Sequence, residues 1–202
     1  LRSAADFAND LATYREERVP LIEDILHEKQ VNLLYAEAGV GKSVISQQVM
    51  CSLLGGHALF GRFPIGKPRR CYYLQLEGDY GEYIDRARRM TQYLPLMDTP
   101  FVWDECRMAE VANKVWVADT LAAMANVRPE VLFIDCLYML TAMDISSEGG
   151  SKVILRFLDQ VQGEIGCAIW VNHHIHRPHY AADGRKVQEE DPYYGSQWIK
   201  AY

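Results

Sequence analysis

The 202-residue chain contains no apolar run long enough to cross a membrane and no secretory signal pattern. Neither a helical membrane protein nor a secreted one is expected. Cysteine is sparse. Its five copies, Cys51, Cys71, Cys106, Cys136 and Cys167, are odd in number, scattered, and mostly set inside apolar runs. That pattern excludes a disulfide framework and a cysteine-based zinc motif; buried thiols in a reducing, cytoplasmic setting are expected. An excess of basic charge is also missing. Lys and Arg number 21 against 27 Asp and Glu, a formal net charge of −6. A constitutive nucleic-acid binder carries a broad basic footprint, so any such contact here has to be local or made by an oligomer. Internal repeats and low-complexity tracts are absent too. What is present is an apolar fraction of 49%, enough for one folded domain with a full core. The positions at which the chain starts and stops suggest a segment of a longer protein.

The most informative stretch is Ala36-Glu37-Ala38-Gly39-Val40-Gly41-Lys42-Ser43, preceded by the apolar run Val31-Asn32-Leu33-Leu34-Tyr35. A strand that breaks into a glycine loop ending in Gly-Lys-Ser, and then continues as a helix, is a phosphate-binding loop. Gly39 and Gly41 allow backbone angles closed to other residues, so N–H groups can turn inward around a phosphate. The helix that follows adds its positive dipole end. The expected nucleotide-binding residues are Glu37, Ala38, Gly39, Val40, Gly41, Lys42, Ser43 and Val44. Lys42 is placed on the β- and γ-phosphates of ATP, and Ser43 on Mg2+. Ala36 stands where the first glycine of such loops normally sits.

Apolar runs alternate with helical spacing along the rest of the chain. Strands are expected at 71–76, 101–103, 131–134 and 167–171. Helices are expected at 3–18, 43–54, 80–93, 111–126 and 150–165, with a short helix or docking arm at 19–30. Strand–helix alternation implies a doubly wound, mainly parallel sheet with helices on both faces. In such sheets ligands bind at the carboxyl ends of the strands. The residues that end the runs are Glu77, Asp135 and Asn172-His173-His174. Asp135 fits a magnesium ligand that also accepts from the Ser43 hydroxyl. Glu77 is a candidate general base, with Asp79 as its rival unless Asp79 caps the helix at 80–93. At least one of His173 and His174 should face the site, where it could contact the γ-phosphate. A zinc site among His173, His174, His176 and His179 is disfavoured, because no cysteine lies at zinc spacing.

In this order the pieces resemble a RecA-type P-loop ATPase, specifically the RepA-like hexameric replicative helicase group. The resembling residues are Ala36–Ser43, Tyr72–Asp79, Leu132–Asp135, Glu164–Ala168, Trp170–His174 and Gly195-Ser196. The resemblance implies a RecA-like P-loop NTPase fold, with an N-terminal helical arm over 1–30 and an ATPase core over 31–202. It also implies Glu77, Lys42 and His173 as catalytic residues, Ser43 and Asp135 at the metal, and ATP with Mg2+ as cofactors. A homo-oligomer, a hexameric ring acting on single-stranded DNA, is implied as well. Lys200 is the one basic residue in reach of the position where relatives carry a finger into the neighbouring subunit. DNA-facing loops would fall near 141–152 and 176–195. The second loop carries Arg177, Arg185 and Lys186 against Asp183, Glu189, Glu190 and Asp191, so charge does not mark it as a phosphate binder. Tyr180, Tyr193 and Tyr194 could stack on bases there. Arg86, Arg88 and Arg89 read as a solvated face or subunit contact. An alternative function is an ATP-dependent regulatory or assembly ATPase that does not move on DNA; a small-molecule kinase ranks last.

Overall fold

The chain was analysed as a computed structural model that describes residues 3–13, 19–107 and 109–174. Expectations for 176–195, for the Gly195-Ser196 turn and for Lys200 lie outside these residues. In chain order the elements are helix α1 (Ala4–Thr13), strands β1 (Pro20–Ile22), β2 (Leu26–His27) and β3 (Val31–Ala36), and helix α2 (Lys42–Gly55). Next come β4 (Cys71–Gln75), α3 (Tyr80–Thr91), β5 (Phe101–Glu105), α4 (Lys114–Val127) and β6 (Val131–Asp135). A short 3-10 turn (Leu137–Leu140), α5 (Glu148–Glu164) and β7 (Ala168–His174) complete them. The five longer strands form one sheet in the order β3-β7-β6-β4-β5, every neighbouring pair parallel. Parallel pairing brings all five carboxyl ends to one rim.

The strands read as continuous apolar runs because both faces of the sheet are covered. Side chains alternate between the faces with period two. Tyr72, Leu74, Leu132, Ile134, Ile169 and Val171 pack toward α4 and α5. Cys71, Tyr73, Val131, Phe133 and Trp170 pack on the other side, with α2, Tyr83 of α3, and Leu21, Ile22 and Leu26. Burying a side chain such as Leu74 or Phe133 contributes about 1.5–3 kcal/mol, so each face is held by many such terms.

Residues 19–30 depart from the expected short helix or arm. They form an antiparallel hairpin of β1 and β2, with left-handed backbone at Asp24 (φ 61°) and Lys29 (φ 58°). The reason is burial. Leu21, Ile22 and Leu26 enter the α2-side core almost completely, which a solvent-facing arm would not permit. Polar clamps secure the edge of the sheet opposite the rim. The Glu130 carboxylate accepts from Arg69 Nη1 at 3.0 Å and from the Arg70 backbone N–H at 3.1 Å. Arg69 Nη2 also donates to the Pro20 carbonyl at 3.3 Å, and Asn32 Nδ2 to the Ile25 carbonyl at 2.6 Å.

Candidate active site

The loop between β3 and α2 takes the form of an open cradle. Gly39 (φ 81°) and Gly41 (φ 98°) both occupy left-handed backbone, and a Cβ built on either meets nothing within 4 Å. Gly41 is the N-cap of α2, yet no side chain bonds to that end of the helix. The first-turn N–H groups of a 14-residue helix therefore face the loop, a ready anion site. Ala36 is tolerated because it is the last residue of β3, paired with His174 in extended backbone. No positive φ is needed there.

Lys42 is 6% exposed. Its Nζ donates to the carbonyls of Ala36 (3.0 Å) and Glu37 (2.8 Å) and lies 3.1 Å from His174 Nδ1. Burial lowers its pKa, opposed by the negative field of Cys136, Glu77 and Asp135. An ammonium can only donate, so His174 Nδ1 is the acceptor and the neutral ring carries its proton on Nε2. Nε2 then donates to Glu77 Oε1 at 3.1 Å. The other Glu77 oxygen, Oε2, accepts from the Tyr138 hydroxyl at 2.7 Å. The His174 hydrogen bond holds the Glu77 carboxyl below its ordinary range, against burial and with help from Tyr138. Lys42, His174, Glu77 and Tyr138 thus form one continuous polar chain across three strand ends.

The histidine in this chain is His174, whereas the family pattern pointed to His173. Strand parity decides between them. Asn172 and His174 share the α2 side of β7, on which Asn172 Oδ1 accepts from Ser46 Oγ at 2.7 Å. His173 falls on the opposite face with Ile169 and Val171 and is 2% exposed.

Asp135 is also buried, at 2% exposed. Its Oδ2 accepts two hydroxyls, from Tyr83 at 2.6 Å and Tyr73 at 2.8 Å. Burial first, then the Asp135 charge, raises both tyrosine pKa values far above the ordinary range, so both remain protonated donors. Tyr73 is fixed by stacking on Trp103 (4.6 Å between centroids) and Phe133 (5.4 Å), with Tyr83 edge-on at 6.1 Å. Ser43 lies close enough to the Tyr83 hydroxyl to oppose the rise in its pKa, so the two hard-oxygen residues meet at one tyrosine. A hydroxyl and a carboxylate suit a magnesium ion, which prefers oxygen ligands and keeps several waters.

Asp79 takes the other role foreseen for it. Its side chain accepts from the Glu82 N–H at 3.1 Å and caps α3. Gly78 separates the two carboxylates at φ 85°, and a Cβ there would meet the Tyr83 ring at 2.9 Å. Arg86 and Arg88 pair with Glu82 and Asp85 on their own helix, in exposed ion pairs. The 141–152 stretch holds one cation, Lys152, and it is paired with Glu148. The site residues that the sequence does not reveal are Tyr73, Tyr138 and Cys136, which sit in or beside apolar runs and read there as core, and Tyr83, which lies among the polar residues of α3.

Among the described residues no helix is long and apolar enough to cross a membrane. The search of curated proteins returns no match. Among solved structures, the chain is similar to the KaiC-like protein of the hyperthermophilic archaeon Pyrococcus horikoshii OT3. The TM-score is 0.51 at 14% identity, over 76% of this chain and 65% of that one. This likeness shows a RecA-like P-loop α/β fold. The family described as AAA domain matches residues 1–178, and the chain belongs to it.

Proposed function

We propose that this domain hydrolyses ATP with magnesium and that Glu77 is the general base. The observation that carries the reading is the chain Lys42–His174–Glu77, which joins the loop lysine to a carboxylate on a neighbouring strand end. Lys42 rests on the Ala36 and Glu37 carbonyls. Phosphate oxygens are stronger acceptors than these carbonyls, so a bound nucleotide draws the ammonium onto itself. His174 then loses a donor at Nδ1 and is free to re-partner toward the γ-phosphate. Glu77, held by Tyr138, accepts the proton of the attacking water. Ser43 and Asp135 would hold a magnesium ion, which would supply charge neutralisation to the phosphates. The test is Glu77→Gln, which should retain nucleotide binding and lose on the order of 10²–10⁴ in turnover. Turnover within a few-fold of the parent would exclude Glu77 as the base.

The finer reading is a motor of the hexameric helicase kind, forming a ring on single-stranded DNA. Its support is the order of motifs shared with that group. A second reading, an assembly or regulatory ATPase, is favoured by the net charge of −6 and by the cation-poor 141–152 stretch. ATPase assays with and without single-stranded DNA separate the two. Stimulation that fades steeply with salt supports the motor, and hydrolysis indifferent to DNA supports the regulator.

A further inference from the structure

We propose that Glu77, Cys136 and His174 form a soft-metal site, specific for a zinc-like divalent cation and separate from the all-oxygen pair Ser43 and Asp135. One ligand atom from each of the three residues lies within 4.8 Å of the other two. Zinc–sulfur and zinc–nitrogen bonds of about 2.3 and 2.0 Å put tetrahedral ligands about 3.3–3.5 Å apart. Glu77 Oε1 and His174 Nε2 stand 3.1 Å apart and the thiol lies within 4.8 Å of a ligand atom of each, so small side-chain adjustments reach that spacing. Cys136 is fully buried behind β6, while Glu77 and His174 are partly open to solvent. The cation therefore has a buried floor and a solvent-facing side, and three protein ligands leave a fourth position to water, the arrangement of an open zinc site.

The surroundings are set for this donor set. Tyr138 holds Glu77 through Oε2, which leaves Oε1 aimed at the cluster, as an outer-shell partner of a ligating carboxylate does. The sulfur and imidazole select a borderline-soft ion over magnesium. Binding releases the thiol proton to solvent and moves the ring proton of His174 from Nε2 to Nδ1. Lys42, which now donates to Nδ1, must leave that nitrogen and keep its Ala36 and Glu37 partners. The cation thereby occupies the base and repels the loop lysine at once. It acts as an inhibitor of hydrolysis, a consequence that rests on the function proposed above; the binding itself does not.

The experiment is a cobalt(II) titration of nucleotide-free protein, read by absorption. The parent should show thiolate-to-cobalt charge transfer in the near ultraviolet and tetrahedral bands in the visible, saturating at one equivalent. Cys136→Ser should abolish the charge-transfer band, and His174→Asn should weaken binding roughly a hundredfold, one ligand's share of a zinc site. A parent without the thiolate band, a band that survives Cys136→Ser, or unchanged affinity in His174→Asn overturns the site. His174→Asn, at a half-buried position, decides the matter if Cys136→Ser does not fold. In a second arm, zinc titrated into the magnesium-supported ATPase should inhibit the parent. Cys136→Ser should need at least tenfold more zinc, each protein measured against its own zinc-free rate. Equal zinc sensitivity overturns the inhibitory role. A parent inactive in magnesium alone overturns the proposed function and leaves the cobalt result to stand by itself.

Discussion

Removing the hydroxyl of Tyr83 tests how the buried carboxylate of Asp135 is held. Tyr83→Phe keeps the ring in its edge contacts with Trp103 (5.4 Å) and Tyr73 (6.1 Å), so apolar burial is unchanged. What is lost is the 2.6 Å bond to Asp135 Oδ2. A hydrogen bond to a charged group contributes about 1.5–3 kcal/mol. Tyr73 still donates to the same oxygen, so the carboxylate keeps a partner and the loss stays in that range. For a domain of this size about 1 kcal/mol moves Tm by about 2–4 °C, which predicts a drop of about 3–12 °C. Urea unfolding should show a lower midpoint with an unchanged slope. Removing Tyr73's hydroxyl as well should cost more than the sum of the single changes, because it leaves a buried charge without either donor. In an Asp135→Asn background, Tyr83→Phe should cost less than half as much. A loss under about 0.5 kcal/mol in the parent, or an equal loss in the Asn background, refutes the reasoning.

Lys42→Ala removes the loop ammonium, which on the proposed function moves onto phosphate, and should weaken nucleotide binding by at least about 10²-fold, measured by titration of a fluorescent analogue; unchanged affinity contradicts the loop assignment. Gly41→Ala meets no steric contact but keeps φ at 98°, so urea unfolding should show only the backbone strain, about 1–2 kcal/mol. Tyr138→Phe removes one of the bonds that hold Glu77 below its ordinary pKa. A depressed carboxyl stabilises the fold above its unfolded value of about 4.3, and that contribution disappears as pH falls through the folded value. Losing the Tyr138 bond raises the folded value, so carboxyl NMR should show Glu77 titrating at higher pH and the acid limb of turnover should move the same way. A shift in the opposite direction excludes Tyr138 as its partner.

The fold could be read from the sequence where strands are buried on both faces. Val131–Ile134 and Cys167–Val171 are uninterrupted apolar runs, and Lys42 follows a loop whose glycines need left-handed backbone. The same uniformity hid the parity of β7. A strand buried on both sides shows no polar alternation, so nothing in Trp170-Val171-Asn172-His173-His174 says which histidine turns toward α2. The bond from Ser46 to Asn172 settles it, and that pairing joins residues 126 positions apart. The tyrosines were hidden for a related reason. Tyr73 lies inside an apolar run and is fully buried, yet its hydroxyl serves Asp135. The hairpin at Pro20–His27 was missed because three apolar residues are too few for any periodicity; only the core they enter gives them a shape.

The clamps at the far edge of the sheet have a mechanical consequence. β7 starts where the Ala168 N–H bonds to the Glu130 carbonyl and the Ile169 N–H to the Gln30 carbonyl, beside the Glu130–Arg69–Arg70 cluster. It ends at His174, in contact with Lys42 and Glu77. The strand is held between β3 and β6, with Ala36 paired to His174 at its tip, and on the proposed function the groups at that tip exchange partners when phosphate binds. Amide exchange should therefore be slowest near Ala168 and Ile169 and should respond to nucleotide near Asn172 to His174. The contact of one lysine is thereby tied, through His174, to the pairing of β3 with β7.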